Sequence, residues 1–71
     1  MTATELGKSI RQRRKLLKLT QEDLARLASC SKPSVIAAES GKPTLRLEIL
    51  LSILHVLGLS LELADSGAKK D

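Results

Sequence analysis

"LTQEDLARLASCSKPSVIAAESGK", residues 19–42, is the stretch whose reading decides the fold. Thr20 is placed to cap a helix over 21–28, and Glu22 and Asp23 follow in its first turn, at the positive end of the helix dipole. Leu24, Leu27 and Ala28 give that helix its apolar face. "SCS", 29–31, is a three-residue turn. Ser31 caps a second short helix that runs to about Ser40, and Gly41 is the expected left-handed terminator. Pro33 falls at the second helical position, where the N–H it lacks would have had no partner in the helix.

Working outward, the spacing predicts a helix from about Thr4 to Leu17 on the N-terminal side. "TATE" is a capping box, with Thr2 as N-cap and Glu5 three residues on. Leu6, Ile10, Leu17 and a residue between them, at 13 or 14, share a face. On the other side, "KPT" reads as a loop, and Thr44 is expected to cap a fourth helix over about 45–57, ended by Gly58. Its polar residues Glu48, Ser52 and His55 form one narrow stripe, and nearly everything else is Leu, Ile or Val. A helix needs one apolar stripe to face its own core; this one has two faces to bury, which calls for a partner chain.

After Gly58 the period changes. Leu59, Leu61 and Leu63 alternate with Ser60 and Glu62, the pattern of a half-buried strand over 59–64. A lone strand leaves its backbone groups unpaired, so the simplest arrangement pairs it with the same strand of a twin across a two-fold axis. The alternative is a short fifth helix from Ser60. Residues 65–71 read as a flexible tail, leaving a domain over 1–58.

Bulk properties agree with a single small domain. The chain has 71 residues and no Phe, Tyr or Trp, so Leu, Ile, Val and Ala must make the core. So small a domain is marginal alone, and oligomerisation is a common remedy. Cys30 is the only cysteine and reads as a small apolar plug in the turn. No secretory signal is visible, and the apolar run "LEILLSILHVLGLSL" contains Glu48 and His55 and is too short for a bilayer. A cytoplasmic protein with no membrane contact is the expectation. The net charge of +4 is concentrated: residues 1–20 carry Lys8, Arg11, Arg13, Arg14, Lys15 and Lys18 against Glu5, a balance of +5 that leaves −1 for the rest. One basic segment is the footprint of a phosphate-facing surface or of a solvated helix. Catalysis is not expected: there is no nucleophile–base pairing, carboxylate pair or phosphate-cradling glycine loop. A lone His55 and Cys30 make no zinc site, and no cofactor or metal is implied.

Two short helices joined by a three-residue turn, with a basic helix ahead of them, is helix-turn-helix anatomy. The stretch resembles the lambda-repressor-like, or Cro/C1-type (XRE), helix-turn-helix family through Leu19-Thr20-Gln21, Leu24-Ala25, Ser31, Val35 and Glu39-Ser40-Gly41-Lys42. Ser29 stands for the usual turn Gly, Cys30 for Val, and Ala38 for a larger apolar residue. The resemblance implies an all-α, compact four-helix DNA-binding domain. "ESGKPTLRLEILLSILHVLGLSLEL" is similar to the HipB-type antitoxins, small dimeric repressors whose last strand pairs with its twin and which partner a HipA-type kinase toxin. What this implies is a homodimeric repressor of its own toxin–antitoxin operon, bound to an inverted-repeat operator in double-stranded DNA. A stand-alone phage- or plasmid-type repressor and a protein-binding adaptor that has lost DNA binding remain the alternatives.

Carried onto these residues, the resemblance gives Gln21 a backbone phosphate and makes Arg14 and Glu39 an internal ion pair. Lys32, Pro33, Ser34 and Ala37 face the major groove, with Ser31 at its edge. Lys32 can donate to guanine or to a phosphate, whereas Pro33 and Ala37 can only touch a thymine methyl or leave room for close approach. Arg11, Arg13, Lys15, Lys18, Lys42 and Arg46 are phosphate candidates. Ile36 points away from the core and receives no role. With so few polar readers, half-site spacing and DNA shape are expected to carry specificity.

Overall fold

The computed structural model describes residues 1–42, 44–65 and 67. Among them, four helices follow one another: α1 (Ala3–Leu16), α2 (Gln21–Leu27), α3 (Lys32–Ser40) and α4 (Leu47–Val56). The first three begin on a hydroxyl. Thr2 Oγ1 accepts from the Glu5 N–H while the Thr2 N–H donates to Glu5 Oε1 at 2.9 Å. Thr20 and Asp23 repeat that exchange at α2, with both hydrogen bonds at 2.9 Å. Ser31 Oγ accepts from the Ser34 N–H at α3. Helix α4 differs from expectation. Its N-cap is Arg46, with no side-chain capping bond, and Thr44 lies two residues upstream in a turn. The half-buried Leu45 docks on the core at the end of that turn, and the extended Arg46 (φ −62°, ψ 136°) then leads into the helix.

These helices end alike. Just past each one, a backbone N–H reaches back five positions, in Leu19→Arg14, Cys30→Ala25, Lys42→Ala37 and Leu59→Leu54. Such an ending needs a residue at positive φ just before the reaching N–H. Those residues are Lys18 (59°), Ser29 (55°), Gly41 (77°) and Gly58 (71°). Two of the four therefore hold a left-handed conformation without being glycine.

The core lies where α3 packs on the other three helices. Ile10, Leu24, Val35, Ile53, Leu54 and Leu57 fill it, with Ala25, Ala28 and Ala38 at the close approaches. Gly7 sets the α1–α3 distance: a Cβ there would lie 2.7 Å from the Ala38 carbonyl oxygen, so no side chain fits. Leu17, assigned to the apolar face of α1, is exposed, and the half-buried Leu19 packs in its stead. Helix α4 buries one apolar face and leaves another open, with Leu47 and Leu51 exposed by 63% and 47%.

Beyond Gly58 the described residues form neither strand nor fifth helix. Leu59 is tied to the domain by its backbone bond to Leu54 and by contact with the core. Leu61 and Leu63 are exposed. The expected tail, 65–71, lies outside the described residues apart from Asp65 and Gly67. No helix among the described residues is long and apolar enough to cross a membrane.

Candidate nucleic-acid interface

Arg14 and Glu39 brace the base of the site. The guanidinium of Arg14 grips the Glu39 carboxylate with two nitrogens, Nε to Oε2 at 2.5 Å and Nη2 to Oε1 at 3.1 Å. Its third arm, Nη1, donates to the Leu19 carbonyl at 2.9 Å. Gln21 Nε2 donates to Glu39 Oε1 at 3.2 Å. One carboxylate thereby ties α1, the start of α2 and the end of α3 together. The side chains of Arg14 and Glu39 are only 10% and 6% exposed, so the pair is structural rather than a surface contact. The Gln21 amide, expected on a phosphate, has one of its donors engaged inside the protein.

Helix α3 stands on this base. Val35 and Ala38 are buried, so at 100° per residue its outward face falls to Pro33, Ile36, Ala37 and Ser40. Of the expected reading residues, Pro33 and Ala37 lie on that face. Lys32 and Ser34 lie at its margins. The Ser34 hydroxyl shares a hydrogen bond with the Ser31 hydroxyl at 3.0 Å. Lys32 Nζ is 3.9 Å from Glu22 Oε1, and both groups are solvated, so the contact holds the lysine only weakly. Ile36 lies on the side of that face toward Arg11 and Gln21, 46% exposed. Spacing suffices to find it: 33, 36 and 37 are i, i+3 and i+4.

Cations stand on either side of this ridge. On one side Arg11 and Gln21 share a shallow depression with Ile36 and Ser40. On the other, Lys42 and Arg46 line a second depression with Pro33 and Ala37. Lys15 and Lys18 are exposed at the far end of α1 and just beyond it. Arg13 is elsewhere. Its Nε donates to the Leu57 carbonyl at 2.9 Å, so it holds the end of α4 rather than presenting a free guanidinium beside α3.

Electrostatics outside the pair are mild. The Thr2 backbone N–H, helped by the Thr2 hydroxyl, holds the Glu5 carboxyl below the usual range. Thr20 does the same for Asp23. Partial burial raises the Cys30 thiol, which keeps it protonated at neutral pH. Among the described residues no group of three His, Cys, Asp or Glu side chains could hold a metal ion.

A capped helix pair, a short turn and an outward second helix between cations define a helix-turn-helix domain. A family model described as Helix-turn-helix matches residues 10–63, and the chain belongs to that family, in its Cro/C1 (XRE) form. It is 30% identical over 69 residues to the uncharacterized HTH-type transcriptional regulator y4mF of Sinorhizobium fredii (strain NBRC 101917 / NGR234), covering 97% of this chain and 91% of the relative. Its fold is similar to that of a chain in the structure of a HipA-HipB-O2-O3 complex, with a TM-score of 0.83, 24% identity and 93% of each chain covered.

Proposed function

We propose that this protein is a sequence-specific DNA-binding repressor of transcription that works as a homodimer. Each copy lays α3 in a major groove, and an inverted repeat presents two such grooves about 34 Å, or a multiple of that, apart. The observation that carries the reading is the outward face of α3, held rigid by the Arg14–Glu39–Gln21 network and flanked by Arg11, Lys42 and Arg46. Those cations, with Lys15, Lys18 and Lys32, suit the phosphate walls of a groove. Gln21 keeps one amide N–H for a phosphate, and Ser31 lies at the rim. The family is one of DNA-binding regulators, not of enzymes.

What one copy leaves exposed supports the dimer. Leu47 and Leu51 on α4, and Leu61 and Leu63 beyond it, are solvent-facing in the single chain. Pairing of residues 59–64 with the same segment of a twin would satisfy the backbone there, and the partner chain would cover the open face of α4. Leu59 would contribute from the domain side. The fold likeness to a chain of a HipA-HipB-O2-O3 complex supports an antitoxin role, in which the dimer also binds a HipA-like kinase and represses the operon encoding both. The site of action is then the prokaryotic cytoplasm, on the nucleoid.

Gel shift with the region upstream of its own gene, at two salt concentrations, is the test. A discrete complex that weakens as salt rises and resists excess unrelated DNA is expected. Retention of no duplex even at low salt would refute DNA binding and favour an adaptor. Copurification of a kinase separates the antitoxin from a stand-alone repressor.

A further inference from the structure

The face of α3 available to a groove is apolar. Pro33, Ile36 and Ala37 stand at i, i+3 and i+4, opposite the buried Val35 and Ala38. The hydroxyls beside them are already engaged. Ser40 Oγ donates to the Ala37 carbonyl at 3.0 Å, and Ser34 Oγ is paired with Ser31 Oγ. Such a ridge has little with which to read the donors and acceptors of base edges. The major groove offers one apolar group, the C5-methyl of thymine.

We propose that α3 selects its site through thymine C5-methyl groups packed against Ile36, with Pro33 and Ala37 completing the surface. This rests on the DNA-binding reading above and adds what is read and by which atoms. Charge complementarity identifies the occupant. The ridge rises between Arg11 on one side and Lys42 and Arg46 on the other. A major groove has a phosphate strand on each side of its base edges, which matches that order of charge, apolar surface and charge. An apolar protein partner would gain nothing from cations so placed. Ile36 then becomes a specificity-determining residue, while Lys42 and Arg46 supply affinity without regard to sequence.

The experiment uses the full chain and a duplex enriched by it from a random pool. Each thymine is replaced singly, and then symmetrically in both half-sites, by deoxyuridine, which lacks only the methyl. One buried methyl is worth about fourfold in affinity, so symmetric replacement at a contacted position weakens binding on the order of fifteenfold. Ile36→Ala, at an exposed position that leaves the fold intact, weakens binding to the thymine duplex and removes the thymine–uracil difference at one position per half-site. Its salt dependence stays that of the unaltered chain. Thymine and uracil duplexes bound equally at every position would overturn the proposal, as would an Ile36→Ala protein that keeps the full difference everywhere. Failure to enrich any duplex would instead overturn DNA binding itself, so the two failures are distinguishable.

Discussion

Glu39→Ala removes one carboxylate and strands three donors. Arg14 loses both contacts to Glu39 and keeps only the Leu19 carbonyl; Gln21 Nε2 loses its partner as well. The Arg14 side chain is 10% exposed, so water replaces little of what is lost. Removing one member of a buried pair costs about 3–5 kcal/mol. A chain of 71 residues has a total stability on the order of 4–11 kcal/mol at ordinary values per residue. The variant therefore loses between about a quarter and all of its stability, and where it still folds Tm falls by roughly 12–40 °C. Circular dichroism melting of the purified variant reads this directly. The double variant Arg14→Met with Glu39→Leu keeps the volume filled while removing both charges, and it recovers much of the loss. A Glu39→Ala protein melting within about 3 °C of the unaltered chain would show that the network contributes nothing and would refute the reasoning.

Other consequences follow from the same geometry. Ser29→Gly relieves a left-handed residue at the end of α2 (φ 55°), and a gain of about 1 kcal/mol, or some 4–8 °C in Tm, is expected; an unchanged or lower Tm would count against strain there. Acid acts on the two capping boxes. Because hydrogen bonds to Thr2 and Thr20 lower the carboxyls of Glu5 and Asp23, their contribution is complete above the ordinary carboxylate range and is lost as pH falls through the lowered folded-state values. Amide exchange in the first turns of α1 and α2 should accelerate there on acidification, and Asp23→Asn should abolish the acid dependence at α2. Lys42→Ala and Arg13→Ala should part company in a salt titration of DNA binding. The first lowers the slope by about 0.9; the second leaves the slope alone and destabilises the domain by about 1–2 kcal/mol through the Leu57 carbonyl.

Much of the fold is legible because its helix ends carry their own chemistry. Thr2 with Glu5, Thr20, Ser31, Gly41 and Gly58 mark boundaries by local hydrogen bonding or backbone conformation, and these need no knowledge of distant contacts. The pairing of Arg14 with Glu39 is accessible only through family resemblance, since nothing local distinguishes Arg14 from Arg13. A step of one residue around α1 decides that Arg14 goes inward to Glu39 and Arg13 goes to Leu57. The start of α4 misleads because Thr44 is a good cap by type, while the docking of Leu45 overrides it. Gly7 carries no local signal at all, since its need for a missing side chain exists only once α3 lies across it. At the site, polarity draws the eye to Lys32 and Ser34. The helical phase set by Val35 and Ala38 instead puts Pro33, Ile36 and Ala37 on the outward face.

Two copies of this chain laying their third helices in successive grooves on one side of a duplex is the claim on which the functional account turns. Hydroxyl-radical footprinting of the enriched duplex, with the number of bound chains counted by mass on the same complex, measures it. Two protected patches on one face, about 34 Å or a multiple apart, with two chains per duplex, are expected. A single patch carrying a single chain would contradict it.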